Sequence, residues 1–526
     1  DVDHGEAPLG VPERLEGGMV YRFKLKEGAK FHDPYAERDG RPGLFNGETT
    51  RQITTDDVFY SLKRLADQKY RLENWWLLEN TIEGLDEFKE QQNSTPGFDY
   101  DARVPGLVKI DDMTFEIRLT QPVTRFLWIL TMFQTAVVSR EAVEFYGDEF
   151  MFHPVGTGPF TLVEFQPKRR LIGVRNTEYH DVRYPARSEW SREARRDRLH
   201  LMAGRRAPFV DRIEFTMFVE DQPMWLEFDA GNIAYTEVPA EYFERAFNKQ
   251  TKELLPKYRD RGVRAYANPL LDFIFRGFNM EDELLGGYSP EATALRQAIN
   301  LAIDLEEMSE SFYNGLTIQY DGPIPPGLAG HPENGRAPVS YRGPDLDRAR
   351  QKLAEAGYPN GEGLPEIQFY TSRGGNNAQQ VETMKRQLAR VGIRLDPQLV
   401  DFSTLIEFTN NKKAPMFGFA WSSDYPDAEN NLALFYSPNA SPGSNHYNYS
   451  RPEYDEMYER ILVMDESEER TQLKIKMRDM LIEDAPFVGS MARTRHYVVN
   501  PWAPNLRPTE RYWGWFKFVD VDDSKR

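Results

Sequence analysis

Residues 417–431 read FGFAWSSDYPDAENN, and the stretch changes character halfway along. Gly418 to Trp421 is short, apolar and aromatic, as suits the end of a buried strand. Ser422, Ser423, Asp424, Tyr425, Pro426 and Asp427 then favour turns and lack core character. Strand ends that open into polar loops are where α/β folds place ligands. Asp424 is a carboxylate able to meet a cation there, beside the π-faces of Trp421 and Tyr425. The same residues also make a common Ser-Asp-Pro turn, closing a strand and leaving the carboxylate solvated. Taken alone, the stretch leaves both explanations open.

The chain has 526 residues, beyond the size at which a single core stops growing, so at least two domains are expected. Hydrophobic residues make up 40% and aromatics 13%, enough for real cores and too many for disorder. Against 65 basic residues stand 83 acidic ones, a formal net charge of −18, which argues against nucleic acid or anionic membrane as the main partner. Cysteine is absent, which removes disulfides, thiolate metal sites and cysteine nucleophiles without excluding an oxidising compartment. The most apolar run, Phe126–Val138 (FLWILTMFQTAVV), is too short and too interrupted to span a bilayer, so the sequence predicts a buried helix. The first residues, DVDHGEAPLG, carry neither the basic nor the apolar region of a signal peptide.

In chain order, Tyr21, Phe23 and Leu25 alternate with charged residues as in a half-exposed strand, and Phe115, Ile117 and Leu119 repeat the pattern. Thr54 and Asp57 have capping-box spacing at the start of a helix striped by Val58, Leu62 and Leu65. A first region ends near Phe152-His153-Pro154. The glycine turn 156–159 then feeds a strand over Thr161–Phe165, without the Lys-Ser/Thr of a P-loop. The charge-dense segment Arg183–Arg206 reads as a solvated loop or helix face. A helix over Gln222–Ala230 ends at Gly231. From Phe273 onward, helix and strand alternate as in an α/β domain. Helices open at Ser289-Pro290 and Asp345, and a third stripe holds Val381, Met384 and Leu388. Strands are expected at Ile367–Phe369 and Ile393–Leu395, helices from Pro452 and over Glu469–Ile482. The aromatic tail Trp502–Phe518 is expected to pack back on an earlier domain.

Seven motifs in order resemble the family 5 extracellular solute-binding proteins, the oligopeptide- and dipeptide-binding receptors of bacterial ABC importers. They are YRFKLKEGAKFHD (21–33), ITTDDVFYSLKRL (53–65), GTGPFTLVEF with RNTEYH (156–165 and 175–180), FNM leading to LRQAINLAID (278–304), ARQKLAEAGYPNG (349–361), WSSDYPD (421–427) and YSRPEYDEMYE (449–459). The resemblance implies an α/β, two-lobed periplasmic-binding-protein-like fold with two crossovers and an extra subdomain on lobe one. By that likeness, 1–154 is the extra subdomain, 155–268 plus 488–526 is lobe one, and 269–487 is lobe two. It implies a receptor at the periplasmic or extracellular face of the cell envelope, with or without a lipid anchor, that closes its lobes on an oligopeptide or similar solute. ABC transporter permease subunits are the implied membrane partners; no nucleic acid and no cofactor are expected.

The resemblance also implies the site. Asp424 matches the aspartate that holds a ligand's α-ammonium, backbone groups of Ala420 and Ser422 match those that pair with an extended peptide, and Trp421 and Tyr425 flank them. Some oligopeptide receptors place an arginine three residues before the tryptophan for the ligand's carboxylate. Here that position is Gly418, with Lys412, Lys413 and Arg373 as nearby substitutes. Fewer residues precede the YRFKLK strand than in other members. The expectation is therefore a longer natural chain with a signal peptide, or another polypeptide completing the N-terminal lobe.

An enzyme is the second function class. The chain has no G-x-S-x-G elbow, no H-E-x-x-H and no P-loop, and its eight histidines are scattered, so no catalytic residue is expected. His32, Asp33 and Asp39 have the residue types for a cation such as calcium, but they also suit a polar loop, and no metal site is expected. A solute-binding fold reused as a surface-assembly subunit, or binding a non-peptide solute, stays open beside the peptide receptor.

Overall fold

A computed structural model describes residues 13–70, 75–187, 189–510 and 513–526; the opening DVDHGEAPLG lies outside the described residues. The chain divides into two compact units: residues 1–237, 256–266 and 497–526, and residues 238–255 and 267–496.

In the first unit, β1 (Glu13–Leu15), β2 (Val20–Lys24), β3 (Leu107–Lys109) and β4 (Thr114–Arg118) form an antiparallel sheet in the order β1-β2-β4-β3. The expected alternation holds: Tyr21, Phe23, Phe115 and Ile117 are buried in one core with Val58, Leu62 and Leu65 of α1 (Thr55–Ala66). The Thr54 N–H donates to Asp57 Oδ2 at 2.8 Å, as the capping spacing predicts. A second sheet, β5 (Phe160–Gln166), β6 (Arg170–Arg175) and β7 (Arg212–Thr216), follows the glycine turn. The predicted helix over Phe126–Val138 is realised only at Phe126–Ile129. Thr135 Oγ1 donates to Ile129 O and Met132 O, both at 2.9 Å, so a side chain satisfies the carbonyls that a continuing helix would use. The backbone turns outward, leaving Phe133 80% exposed. β8 (Tyr235–Glu237) and β9 (Arg264–Pro269) complete this part of the chain. Outside the undescribed residues 511–512, the tail packs back as expected: Trp502, Ala503, Leu506 and Trp515 join Tyr235 and Tyr266 in one cluster.

The second unit holds β10 (Asp272–Phe278), α2 (Pro290–Ala302), α3 (Leu305–Phe312), β11 (Ile318–Tyr320), α4 (Leu346–Glu355), β12 (Ile367–Ser372), α5 (Asn377–Ala389), β13 (Leu395–Val400), α6 (Phe402–Asn410), β14 (Met416–Ser422), α7 (Pro452–Val463), α8 (Glu468–Asp484) and β15 (Phe487–Ala492). Six strands form one mixed sheet in the order β11-β15-β10-β14-β12-β13, parallel only between β14 and β12 and between β12 and β13. Ser289 Oγ accepts the Ala292 N–H and Asp345 Oδ1 the Arg348 N–H, both at 3.2 Å, so the predicted caps start α2 and α4. One sheet face packs Phe369 and Met416 with Ile299, Leu353 and Met384 of α2, α4 and α5. The other packs Phe273, Phe275 and Phe417 with Tyr454 and Met477 of α7 and α8. This gives the three-layer α/β order expected for the segment. The last strand, β16 (Thr494–Val499), joins β8 and β9 in a sheet ordered β8-β16-β9.

Candidate functional site

The stretch 417–431 forms most of β14, the loop that follows it and the start of a short helix, Glu429–Leu432, which carries Asn430. β14 pairs antiparallel with β10 along its whole length, from Phe278↔Met416 to Asp272↔Ser422. Towards β12 it pairs only at Phe369↔Met416 and Tyr370↔Phe417. The Ser423 N–H donates to Leu271 O and the Asn279 N–H to Pro415 O, each at 2.9 Å, which fixes the phase of the antiparallel ladder. Trp421, Phe419 and Phe417 therefore direct their main-chain groups to β10, while those of Gly418, Ala420 and Ser422 point the opposite way. Beyond Phe417 the ladder to β12 ends although Thr371 of β12 still lies against Gly418, and Ala420 and Ser422 are exposed along this unpaired stretch.

Asn430 organises the loop. Its Oδ1 accepts the Asp424 N–H at 3.1 Å and Trp421 Nε1–H at 2.8 Å, while its Nδ2 donates to Asp424 Oδ2 at 3.0 Å. Among the described residues no basic side chain lies within ion-pairing distance of Asp424, and as a residue it remains exposed to solvent. Its carboxyl is nonetheless flanked by protein. That partial loss of water raises its pKa above the ordinary aspartate value, against the lowering by the Asn430 amide and with a smaller rise from the Glu429 charge. Trp421 is half-buried. Tyr425 is only 4% exposed and donates its hydroxyl to Glu429 Oε2 at 2.6 Å, so its ring belongs to the core. Of the two rings expected beside Asp424, only Trp421 keeps part of its surface in the open. Asp427 is buried and pairs with Arg470 at 2.8 Å and Lys474 at 2.9 Å.

The lysines and arginine considered as anion partners are engaged elsewhere or exposed. Lys412 pairs with Glu281 at 2.8 Å, Arg373 Nε donates to Leu399 O at 2.8 Å, and Lys413 is a surface residue. Asp33 is taken up by Arg41 at 2.8 Å, and Asp39 pairs with Arg38. Among the described residues no cluster of three or more His, Asp or Glu side chains could hold a metal ion. Two residues that matter were not singled out from sequence. Asn430 looks like loop polarity, and its contacts appear only once the loop folds back. Arg276 is a charge inside the apolar run FIFRGF (273–278), a visible signal whose meaning depends on what surrounds it.

On the α5 side of the sheet, β10, β12 and β14 border a cavity of about 310 Å³ whose lining includes Arg276, Gly418 and Ala420. Open strand edge, exposed carboxylate and cavity thus lie along a single strand of one unit.

Residues 12–443 match the family described as bacterial extracellular solute-binding proteins, family 5 Middle. Heme-binding protein A of Haemophilus influenzae is 22% identical over 513 residues, covering 93% of this chain and 81% of that protein. The glutathione-binding protein GsiB of Escherichia coli O157:H7 is 24% identical over 481 residues, covering 90% and 77%. Among solved structures, the Helicobacter pylori periplasmic binding protein DppA in complex with peptide STSA superposes with a TM-score of 0.69 at 19% identity, covering 98% of this chain and 89% of that one. HbpA2 from Haemophilus parasuis gives 0.70 at 18%, covering 97% and 89%. A match over this much of the sequence decides the matter: the chain belongs to the family 5 bacterial extracellular solute-binding proteins.

Proposed function

We propose that the protein is the non-catalytic substrate receptor of an ABC-type importer and that it captures a short peptide by its ammonium end. The observation that carries this reading is the open edge of β14 leading to Asp424. Main-chain groups of Gly418, Ala420 and Ser422 face away from β10, and among the described residues the β12 ladder does not extend to them. An extended peptide added there gains a ladder of hydrogen bonds without regard to its side chains. The strand then ends at a carboxylate that has no cation of its own, placed to meet the ligand's first charged group.

What a relative and a structural neighbour bind supports a peptide-like solute: glutathione for GsiB and the peptide STSA for DppA. Residues 1–154, which carry their own core around Tyr21, Phe115 and Leu62, form an extra subdomain in this reading. Residues 155–268 with 488–526 are lobe one, and 269–487 are lobe two. The receptor works at the outer face of the membrane beside its permease subunits, held by a lipid anchor or free. No helix among the described residues is long and apolar enough to cross a bilayer.

The test is incubation with a defined peptide digest followed by native mass spectrometry. Retained, unmodified free-amine peptides are expected, and N-acetylation of the digest should abolish retention. Turnover of the peptides would move the protein to the enzyme class. Retention of acetylated and free digests alike would remove Asp424 from the site. No retention, together with large oligomers, would favour a surface-assembly subunit.

A further inference from the structure

Arg276 lies in the middle of β10 and is 6% exposed, yet among the described residues no carboxylate meets it. Its Nη1 has no hydrogen-bond partner. Its Nη2 reaches only Gln380 Oε1 at 3.4 Å and the Met308 sulfur at 3.9 Å. A buried guanidinium normally has a counter-ion, because losing water without one costs several kcal/mol. Burial does push this guanidinium's pKa down, against a smaller opposing effect of Tyr313, but arginine keeps its proton at any physiological pH.

The surroundings are consistent with an anion. Arg276 borders the 310 Å³ cavity, whose lining contains two arginines and no carboxylate. The second arginine, Arg493, is already paired with Asp272 at 2.6 Å. The remaining polar lining comes from Tyr313, from Thr371 and Ser372 at the carboxyl end of β12 and from Asn377 and Gln380 in the first turn of α5. The carboxyl end of a parallel strand followed by a helix start is a common place for negative charge. Arg276 stands directly opposite Gly418 in the β10–β14 ladder. A Cβ at Gly418 would come within 3.0 Å of the Phe369 ring and 3.1 Å of Thr371 Oγ1. Glycine at 418 therefore lets Phe369 and Thr371 of β12 pack this close to β14, and the neighbouring strand β10 supplies the cation.

We propose that Arg276 is the anion subsite of the receptor, taking the carboxylate of a short zwitterionic solute whose ammonium end lies at Asp424. This rests on the receptor reading above. It also bounds the ligand. Gly418 and Asp424 are six residues apart. Full extension at roughly 3.3 Å per residue puts the Gly418 and Asp424 Cα atoms no more than about 20 Å apart, which sets the scale of the ligand at a short peptide.

The test uses acetate, the minimal carboxylate, so that it does not depend on the natural ligand. Wild-type protein and Arg276→Met are melted in increasing sodium acetate and in sodium chloride of matched ionic strength. Acetate should raise the Tm of wild type above the chloride control and leave Arg276→Met unmoved. In plain buffer Arg276→Met should be at least as stable as wild type, since it removes a buried unpaired charge. If Arg276→Met does not fold, Arg276→Lys keeps the charge but loses the planar fork and should show a reduced acetate response. An equal acetate response in wild type and variant, or none in either, overturns the subsite. Calorimetry with trialanine and trialanine amide separates the two readings. Wild type should prefer the free acid by about tenfold or more, and Arg276→Met should not. Binding of both forms without preference sinks the Arg276 subsite and leaves the receptor reading standing. An acetate response limited to wild type, with no trialanine bound, sinks the peptide reading and leaves an anion site.

Discussion

Asn430 holds Asp424 from two directions, accepting its main-chain N–H at 3.1 Å and donating to its carboxylate at 3.0 Å. The oxygen that takes the N–H also takes Trp421 Nε1–H at 2.8 Å, so one buried amide sets the relative positions of the carboxylate and the indole. Asn430→Ala removes all three contacts and leaves the indole N–H short of an acceptor. The expected cost is about 1–3 kcal/mol of stability, the usual range for a buried polar group left unpaired. Tryptophan emission should shift at the same time, and affinity for free-amine peptides should fall although Asp424 is intact. Denaturant melts, fluorescence and calorimetry check this; an unchanged spectrum and affinity would show that the loop holds its form without Asn430.

Asp424→Asn keeps the shape and the hydrogen bond from Asn430 but removes the charge. Losing one partner of a desolvated ion pair commonly costs roughly 2–5 kcal/mol, some thirtyfold to several thousandfold in affinity. Folding should hardly change, because Asn makes such turns as readily as Asp. Acetylating the ligand's α-amine should hurt binding to wild type far more than to the variant, the coupling expected of a pair in contact. Equal affinity of wild type and variant for a free-amine peptide would leave Asp424 a turn residue.

The raised pKa of Asp424 gives binding a pH dependence. In the empty protein, partial dehydration favours the neutral acid, whereas a bound ammonium would favour the carboxylate and lower the pKa. Between those two values the complex holds fewer protons than the free receptor, so affinity must fall as the pH falls through the free receptor's pKa. The sign for folding is opposite. A raised carboxyl pKa gives stability that is full below the unfolded value and lost as the pH rises through the folded one. Acidification should therefore weaken binding without this residue destabilising the fold. Calorimetric titrations of wild type and Asp424→Asn across the acid range test it: the variant's affinity should not follow the same slope.

Much of the architecture could be read because local patterns and tertiary environment agree. Tyr21, Phe23, Phe115 and Ile117 alternate in sequence and are buried in the structure, and Ser289 and Asp345 cap the helices they were expected to open. The failures arise where a side chain competes with the backbone or a distant segment supplies the partner. Thr135 takes up carbonyls that the predicted helix over Phe126–Val138 would have needed. Tyr425 reads as a loop ring beside Asp424, but Glu429 and Tyr458 draw it into the core. α6 went unseen because its apolar stripe is short. Arg276 could not be interpreted from FIFRGF, since its meaning lies in the absence of a carboxylate around it, a property of α3, α5 and three strands together.

Asp427, three residues beyond Asp424, has the opposite character. It is 6% exposed and sits between Arg470 at 2.8 Å and Lys474 at 2.9 Å, both fully buried on α8. Burial alone would raise its pKa, but the two cations and the Glu429 N–H more than offset this, and the carboxyl lies below its ordinary value. Its stabilisation is therefore present above the unfolded pKa and lost as the pH falls through the folded one. Asp427→Ala leaves two cations in the interior that keep Glu466, an exposed carboxylate, as an ion-pair partner, while Arg470 also keeps its hydrogen bond to Ile461 O. The expected loss is about 3–5 kcal/mol, as for breaking other buried pairs. Glu466→Gln, which removes the rim charge alone, should cost no more than about 1 kcal/mol. Adding Lys474→Met to Asp427→Ala should recover part of the loss by removing one stranded charge, a non-additivity that independent sites would not show. Denaturant melts of the four proteins at neutral pH measure these terms. If Asp427→Ala costs as little as Glu466→Gln, the loop after β14 is not anchored through Asp427, and the placement of Asp424 must depend on Asn430 instead.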